Sequence, residues 1–342
     1  MDTDIKKNIA VGVVGTGGMG TRHAINLHRF IGGANVSGVY DLDQAHAAAA
    51  AKKSGAARVF DDPIKLIEDT SVQAVLIASP DSTHVDMVLA CLRAGKPVLC
   101  EKPLASTVED AQKVLDAESA ANQRMVSIGF MRRFDPQHAA VKATVMSGCL
   151  GKPLLWKGVH RNAAAAHGIS GATILTNSAG HDFDSVRFLL DEEVCEVSVR
   201  GLKSRSNLHP DTRDLLLIDL VMTNNCLGTA EVFVNAGYGY EVSAEVVCQK
   251  GTAITQQPDK VKVRADSHRG FYVSSDWLEP FQDAYVAEVV DWIDSLQTGT
   301  LFHGATAWDG YVAMVVTAAC IQSLESGKPV PVTLMEKPEL YQ

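Results

Sequence analysis

The chain has 342 residues, a length that suits two domains better than one hydrophobic core. Hydrophobic residues make up 46% and charged residues 21% of it, which is typical of a globular protein in water. The net charge of −9 argues against a nucleic-acid partner and an anionic membrane surface, because both bind basic faces.

Short apolar runs alternate with helical stretches over the first 130 residues. The runs are β-branched or wholly apolar, which is typical of parallel strands buried on both faces. They lie at 9–14, 36–40, 74–79, 97–100 and 125–129, and the helical stretches lie at 18–31, 44–54, 83–94 and 107–122. This alternation predicts an α/β first domain over 1–130, with the doubly wound parallel sheet of a Rossmann fold.

The pattern changes after Arg133, where long strand-like runs are separated by polar turns. The runs lie at 194–201, 215–222, 226–234, 240–248 and 261–265, and helices are predicted at 136–147, 281–297 and 305–326. We expect consecutive antiparallel strands of one open sheet. The second domain is therefore predicted to be α+β over 131–342, with a large, mostly antiparallel sheet.

The glycine-rich turn GTGGMG directly follows an apolar strand and opens a helix. Gly15 permits the tight turn, Gly17 lets a pyrophosphate approach the backbone, and Gly20 lets the helix pack on the sheet. The helix N-terminus then meets the phosphate charge. The motif predicts a dinucleotide site, in which we also place Met19.

An acidic residue ends the second predicted strand. Asp41 lies about 20 residues after the last glycine, the distance at which a carboxylate binds the adenosine ribose hydroxyls. It would repel a 2′-phosphate, and the following Leu42 and Asp43 offer no cation to bind one. NAD is therefore favoured over NADP.

Two more loops follow strands at the edge where doubly wound sheets bind ligands. Ser79 and His84 follow the third strand, and Glu101 and Lys102 end the fourth. We expect all of them to contact the cofactor, although His84 is equally compatible with a helix-start histidine that touches no ligand. Lys102 is also well placed for chemistry, because the nicotinamide should lie beside it.

Several motifs extend this pattern along the chain. EKP stands at 101–103, GFMRRFD at 129–135, HRN at 160–162, YGY at 238–240 and TAWDGY at 306–311. EKP resembles the broad glucose-fructose oxidoreductase/inositol dehydrogenase/MocA (Gfo/Idh/MocA) family, and the others together resemble its bacterial inositol 2-dehydrogenase branch. The resemblance covers essentially the whole chain. It implies NAD-dependent oxidation of a ring hydroxyl on a cyclic polyol, myo-inositol or a stereoisomer.

The resemblance also implies a lysine, a histidine and an aspartate around the reacting hydroxyl. Lys102 matches the lysine and His181 the histidine, but the aspartate position, four residues before the histidine, holds Asn177. If this segment is helical, Asn177 and His181 share one face. Polyol contacts are implied for Arg132, His160, Asn162, Asn177, His181 and Tyr238.

Some of these residues have a second interpretation. Arg132 is equally compatible with a contact that ties the domains together. Tyr238 and Tyr240 alternate along a strand, so both phenols are expected on one face, which is either the substrate side or a subunit interface. The small residues at 163–168 depart from the inositol enzymes and leave the particular polyol open.

Oxidation of an alcohol sends a hydride to nicotinamide and a proton to a general base. Histidine titrates near neutral pH, so we expect His181 to take the proton and Lys102 to stabilise the developing alkoxide. Lys102 as the base is the competing assignment, because a neighbouring nicotinamide cation favours the neutral amine. Asp182 and Asp184 are interpreted as structural partners at a helix start.

Two other functions stay open. A pyranose presents hydroxyls much as a cyclohexane polyol does, so a dehydrogenase of another pyranose-type sugar is one alternative. An NAD-binding sugar sensor without turnover is the other. Asn177 in place of the aspartate favours the sensor, whereas the presence of Lys102 and His181 argues against it.

Cysteine usage and the open sheet bear on location and assembly. The seven cysteines include no CxxC pair, which favours reduced thiols over disulfides or a metal site. The polar start MDTDIKKN does not resemble a signal peptide, so a cytoplasmic location is expected. The far face of the open sheet needs cover. This predicts a homo-oligomer, and the resemblance implies a homotetramer.

Overall fold

The computed structural model describes residues 8–165, 169–209, 211–256, 262–265 and 267–342. The polar start at 1–7, part of the 163–168 loop and the first residue of the strand predicted at 261–265 lie outside the described residues. The strands and helices given next are those of the described residues.

The strands are β1 (Ile9–Val14), β2 (Ala34–Tyr40), β3 (Val59–Phe60), β4 (Ala74–Ile77), β5 (Val98–Glu101), β6 (Val126–Gly129), β7 (Pro153–Arg161), β8 (Val194–Leu202), β9 (Leu215–Met222), β10 (Leu227–Phe233), β11 (Glu241–Cys248), β12 (Gly251–Ile254), β13 (Lys262–Ala265), β14 (His268–Phe271), β15 (Ala305–Thr306) and β16 (Val330–Pro331). The helices are α1 (Gly18–Arg29), α2 (Gln44–Ser54), α3 (Pro63–Glu68), α4 (His84–Arg93), α5 (Val108–Ala121), α6 (Pro136–Met146), α7 (Gly171–Ile174), α8 (Gly180–Leu190), α9 (Gln282–Thr298) and α10 (Ala307–Ser326).

The chain folds into two compact units. The first unit comprises Met1–Phe134, Asp283–Met314 and Met335–Gln342, and the second comprises Asp135–Gln282 and Val315–Leu334. The first unit is therefore discontinuous, whereas the sequence pattern predicts an uninterrupted domain at 1–130. Local patterns identify a helix and its apolar face, but they do not say which of two cores that face joins.

The sheet of the first unit has the order β15-β6-β5-β4-β1-β2-β3. Pairing is parallel from β3 through to β6, and the short β15 is antiparallel to β6. This confirms the predicted doubly wound parallel sheet. The short β3 and α3 are not predicted, because too few residues show a period. Asp62 nevertheless caps α3, since its side chain accepts hydrogen bonds from the amides of Ile64 and Lys65.

The core of the first unit combines residues from both ends of the chain. Val11 on β1 and Leu27 on α1 are buried in one apolar cluster with Val289, Trp292 and Ile293 of α9. Because Trp292 is among the largest fully buried side chains, its ring fills much of that core.

The last residues of the chain are anchored in the first unit. The buried Glu118 of α5 accepts hydrogen bonds from the amides of Met125 and Val126 and from the hydroxyl of Tyr341. Arg124 Nε donates to the carbonyl oxygen of Leu340 at 2.7 Å. This segment therefore supplies a polar partner to a buried carboxyl group.

The sheet of the second unit has the order β12-β11-β7-β10-β9-β8-β16. Its pairings are antiparallel except that β7 and β10 are parallel, which confirms a mostly antiparallel sheet. The sequence pattern predicts that strands consecutive in the chain are neighbours in the sheet. The structure differs, because β7 lies between β10 and β11. Residues alternate between buried and partly exposed along β9 and β11, so one face packs inward and the other stays open.

The helices begin and end close to the predicted bounds where capping residues mark them. The side chain of Asp43 accepts hydrogen bonds from the first amides of α2, and Gly55 ends this helix with a φ of 64°. In the part of the chain that the structure describes, no helix is both long and apolar enough to span a bilayer.

Candidate active site

The glycine-rich turn packs against the loop that follows β4. Gly15 has a φ of 85°, and a Cβ added there would lie 2.5 Å from the amide nitrogen of Ser79. A Cβ added at Gly20 would lie 1.8 Å from the carbonyl oxygen of Gly15. Both positions therefore require glycine for close packing.

The N-terminus of α1 is open. Gly17 precedes the helix without a side-chain cap, and a Cβ on Gly17 or Gly18 would meet nothing within 4 Å. Met19 lies in the first turn. Uncapped amides beside open space fit the pyrophosphate of a dinucleotide.

Asp41 follows β2 beside the same turn. Its Oδ2 accepts hydrogen bonds from the amide of Thr16 at 2.6 Å and from the Thr16 hydroxyl at 3.0 Å, while the Asp43 amide donates to Oδ1 at 2.9 Å. Partial burial alone would raise the pKa of Asp41, but these hydrogen bonds together lower it. Asp41 is therefore ionised at neutral pH and can accept from ribose hydroxyls, while the neighbouring Leu42 is 90% exposed.

His84 begins α4 and is buried. Its Nδ1 lies 2.7 Å from the carbonyl oxygen of Pro103, and its Nε2 lies 2.9 Å from that of Ser79. The Ser79 hydroxyl lies 2.7 Å from that of Thr83. Ser79 and His84 are thus brought together, and both ring nitrogens of His84 lie within hydrogen-bonding distance of main-chain oxygens.

Glu101 is the last residue of β5 and precedes Lys102. Its Oε1 lies 2.7 Å from Nε2 of the buried His23 on α1. Burial alone would raise the pKa of Glu101, but the hydrogen bond and charge of His23 and the charges of Lys102 and His84 together lower it. The residue before Lys102 is therefore a carboxylate.

Arg132 lies in the single helical turn Met131–Phe134 of the first unit, directly after β6. It is buried, and its neighbour Arg133 forms an ion pair of 3.0 Å with Asp309 in the same unit. Both arginines thus follow the strand next to the one that ends at Glu101.

In the second unit, β7 carries His160 on its buried face. Nδ1 of His160 lies 2.9 Å from Oδ2 of Asp182 on α8, and the Tyr240 ring packs edge-on against the imidazole with centroids 6.0 Å apart. Asp182 lies in the first turn of α8, at the helix start where the sequence places it, and His160 is its partner. A carboxylate on Nδ1 holds the proton there and fixes the orientation of the ring.

Asn162 follows β7 and is held by its backbone. Its amide donates to the carbonyl oxygen of Phe233, and its own carbonyl oxygen accepts from the amide of Ala236. Its side-chain oxygen is buried without a hydrogen-bond partner among the described atoms. A buried amide oxygen of this kind fits a ligand hydroxyl.

Asn177 and His181 lie on either side of a change in helix geometry. Residues Leu175–Ala179 form a π-helical turn between α7 and α8, with Asn177 exposed within it and His181 in the first turn of α8. Such wide turns are frequent at functional sites. The segment between these two residues is helical, as the prediction requires, but it includes a π-helical turn and is not a regular α-helix.

The two tyrosines of YGY point in different directions, so the expectation that both phenols share one face is wrong. The Tyr238 hydroxyl donates to Glu241 and accepts from Arg161 Nη1 at 3.1 Å, whereas Tyr240 packs on His160. Arg161 and His160 are successive residues of β7 and point to opposite faces of the sheet. Positive φ angles at Gly237 (81°) and Gly239 (149°) break the alternation of a regular strand. Tyr238, expected to bind substrate, is therefore not brought together with His160.

The sequence motifs miss two residues: His23 in the first unit, and the packing of Tyr240 on His160 in the second. His23 shares the buried face of α1 with Gly20, Ala24 and Leu27. A polar residue at that spacing needs a buried partner, and this is the signal that would have identified it. In the described ranges, no cluster of three or more His, Cys, Asp or Glu side chains could hold a metal ion.

Comparison with known proteins relates both units to one family. Residues 9–130 match the NAD-binding Rossmann fold of the GFO_IDH_MocA oxidoreductase family, and residues 142–333 match its C-terminal alpha/beta domain. The chain is 46% identical over 335 residues to an inositol 2-dehydrogenase of Rubrobacter xylanophilus, covering 98% of this chain and 96% of that protein. It is 40% identical over 331 residues to inositol 2-dehydrogenase 2 of Saccharopolyspora erythraea, covering 97% of each.

Solved structures agree with the sequence matches. The crystal structure of myo-inositol dehydrogenase from Lactobacillus casei, in complex with NAD(H) and myo-inositol, has a TM-score of 0.93 and 30% identity, covering 98% of this chain and 99% of that one. Scyllo-inositol dehydrogenase from the same species, with bound NAD(H) and scyllo-inositol, has a TM-score of 0.87 and 25% identity, covering 95% and 99%. The chain therefore belongs to the Gfo/Idh/MocA oxidoreductase family.

Proposed function

We propose that this chain is an NAD-dependent dehydrogenase that oxidises one ring hydroxyl of an inositol, myo-inositol or a stereoisomer, to the ketone. The observation that carries the proposal is the match, over nearly the full length, to proteins named inositol 2-dehydrogenase and myo-inositol dehydrogenase. The open N-terminus of α1 and the ionised Asp41 supply the cofactor side of the same activity.

NAD, when bound, accepts the hydride. The amides at the start of α1 would hold its pyrophosphate, with Gly15, Gly17, Met19 and Gly20 forming the turn. Asp41 would accept hydrogen bonds from the adenosine ribose. Ser79, Glu101 and Lys102 lie at the carboxyl ends of β4 and β5, where the nicotinamide end belongs.

Lys102 and His181 carry the proposed chemistry on the substrate. Lys102 would donate a hydrogen bond to the reacting oxygen and stabilise its developing negative charge. His181 would accept the hydroxyl proton as general base. Asn177 lacks an ionisable group, so it would bind a neighbouring hydroxyl or orient the imidazole.

The remaining hydroxyls of the polyol need partners that both donate and accept. In the second unit, Nε2 of His160, whose Nδ1 faces Asp182, and the buried side-chain oxygen of Asn162 would accept hydrogen bonds from such hydroxyls. Arg132 supplies further donors. We leave Tyr238 out of this set, because its hydroxyl is engaged by Glu241 and Arg161.

The test is NADH formation by the purified protein with a panel of inositol isomers and pyranoses, with NADP as the cofactor control. Turnover of one inositol isomer well above the sugars is expected. Lys102→Ala should lower kcat by about a hundredfold or more. Lys113→Ala removes an exposed lysine of the same unit and should leave kcat unchanged. Full activity of Lys102→Ala would overturn the site assignment.

The same panel separates the other functions. Faster turnover of a pyranose than of any inositol would identify a sugar dehydrogenase. NAD binding without turnover of any compound would identify a sensor, for which the loss of the acid at Asn177 is the supporting observation.

We further propose a cytoplasmic homotetramer. All seven cysteines are unpaired thiols, which fits a reducing compartment. The open face of the second unit's sheet carries Leu217, which is 36% exposed, and Leu227, which is 53% exposed. Packing of this face against a second subunit would cover both.

A further inference from the structure

Two buried histidines contact the Glu101–Pro103 segment, which carries Lys102, from two different helices. His23 lies in the second turn of α1, and His84 is the first residue of α4. Each is only 1% exposed, although both carry polar nitrogens. Burial of such rings costs free energy unless hydrogen bonds compensate, so their partners indicate what they do.

His84 joins the loops that follow β4 and β5. Its two ring nitrogens lie within hydrogen-bonding distance of the carbonyl oxygens of Ser79 and Pro103. A neutral imidazole has one N–H and can satisfy only one of these oxygens, whereas the imidazolium form donates to both. Both ring nitrogens thus face main-chain oxygens, and His84 links the two loops.

His23 holds the other end of the segment. Its Nε2 lies 2.7 Å from Oε1 of Glu101. On the other side, Oε2 of Glu101 lies 3.1 Å from the position that a Cβ on Gly129 would take, so the carboxylate packs closely against the neighbouring strand β6. The residue before Lys102 is thus fixed between α1 and β6.

We infer that His23 and His84 are positioning residues for Lys102, which they act on by fixing the residues immediately before and after it. This inference rests on the proposed role of Lys102 at the reacting oxygen. His23 also belongs to the helix whose N-terminus would hold the pyrophosphate, so one rigid connection joins the cofactor turn to the lysine. Preorganised donors of this kind increase rate because they need no rearrangement during the reaction.

The test is a double-mutant cycle between His84 and Lys102, measured as kcat at saturating NAD and polyol. His84→Leu should lower kcat roughly tenfold to a hundredfold, as expected for a misplaced catalytic group. His84→Gln keeps one N–H donor and should lie between His84→Leu and the wild type. In a Lys102→Ala background, His84→Leu should lower kcat by no more than about twofold, because the group that it positions is gone.

Two controls separate positioning from general damage. His28→Gln changes an exposed histidine on α1 and should leave kcat unchanged. The KM for the polyol and the Kd for NAD should each change by less than about threefold in His84→Gln, since a positioning defect acts on the transition state rather than on binding.

His23→Leu is an independent variant that removes the contact at the other end and should show the same non-additivity with Lys102→Ala. It carries the test if His84→Leu does not fold. Equal losses in both backgrounds, or no loss of kcat in folded variants of both histidines, would overturn the inference while leaving the role of Lys102 intact. Full activity of Lys102→Ala would overturn the proposed role itself, and the inference with it.

Discussion

Asp41 accepts hydrogen bonds from the Thr16 amide and hydroxyl and from the Asp43 amide, and these hold its carboxylate beside the glycine-rich turn. The exposed Leu42 next to it leaves room for a longer side chain. We therefore expect the cofactor preference at this position to depend on the negative charge of Asp41 and on Leu42, which offers no cation to a 2′-phosphate.

We predict that Asp41→Ser combined with Leu42→Arg shifts the preference from NAD toward NADP. Loss of the charged hydrogen bonds to ribose should raise the KM for NAD by about tenfold or more. The new guanidinium should lower the KM for NADP. Initial rates with both cofactors measure the ratio of kcat/KM, and an unchanged ratio would contradict the assignment of Asp41.

Asn177 is the second residue at which we expect one side-chain group to change the activity, here its dependence on pH. We predict that Asn177→Asp raises the pH at half-maximal kcat/KM by about one unit, because a carboxylate stabilises the imidazolium form of His181. Asn225→Asp, an exposed asparagine in a turn, is the matched control and should leave the profile unchanged. If Asn177→Asp also leaves the profile unchanged, Lys102 becomes the better candidate for the base.

Single residues could be predicted where their role depends on neighbours in sequence. The glycines of GTGGMG and Asp41 are of this kind, since a turn, a helix start and a strand end lie within a few residues of each other. The pairing of His23 with Glu101, and of His160 with Asp182, joins residues that are far apart in sequence. The divergence of Tyr238 and Tyr240 depends on two glycine φ angles, which an alternating pattern does not contain.

At the scale of elements, α5 and the carboxyl-terminal segment depend on one buried carboxyl group. Burial raises the pKa of Glu118 above its ordinary value of 4.5, although the Tyr341 hydroxyl and the amides of Val126 and Met125 oppose this change. A carboxyl group with a raised pKa in the folded state stabilises the fold at low pH. This contribution is lost as the pH rises through the raised value.

We therefore predict that Glu118→Gln flattens the dependence of stability on pH. Relative to the wild type, its free energy of unfolding should increase by about 1 kcal/mol between about pH 5 and about pH 8, because the variant has no carboxyl group to ionise. Denaturant unfolding at several pH values measures this difference. Glu109→Gln, an exposed glutamate of α5, should show no such trend. A constant difference for Glu118→Gln would contradict the prediction.

Elements themselves are predicted well where an apolar run is unbroken, as for β1, or where a side chain caps the helix, as for α2 and α5. The order of strands in the second sheet is not predicted, because the residues of a strand do not indicate which strands will pair with it. β7 pairs with β10 and β11, which come much later in the chain, and its parallel pairing with β10 requires a long connection.

At the scale of the whole molecule, the proposed assembly depends on the open face of the second unit's sheet. It combines Leu217 and Leu227 with ion pairs such as Arg161 with Glu231 and Glu241. Apolar side chains beside paired charges suit a face that is covered in the assembled protein.

We predict that Leu217→Glu combined with Leu227→Glu dissociates the proposed tetramer. Light scattering should give four times the chain mass for the wild type and a smaller species for the variant, because unpaired carboxylates would have to be buried. Leu301→Glu, which changes an exposed leucine of the first unit, should leave the mass unchanged. A wild-type monomer at micromolar concentration would refute the assembly.

The discontinuous first unit has a consequence for how the protein is made. A ribosome completes the glycine-rich turn early, but Trp292 and Tyr341 emerge only after the whole of Asp135–Gln282 has been made. At about 5–20 residues per second, the nascent segment that ends at Phe134 waits on the order of 10 to 30 s for α9, the helix that fills its core. During this interval its apolar surface is available to molecular chaperones.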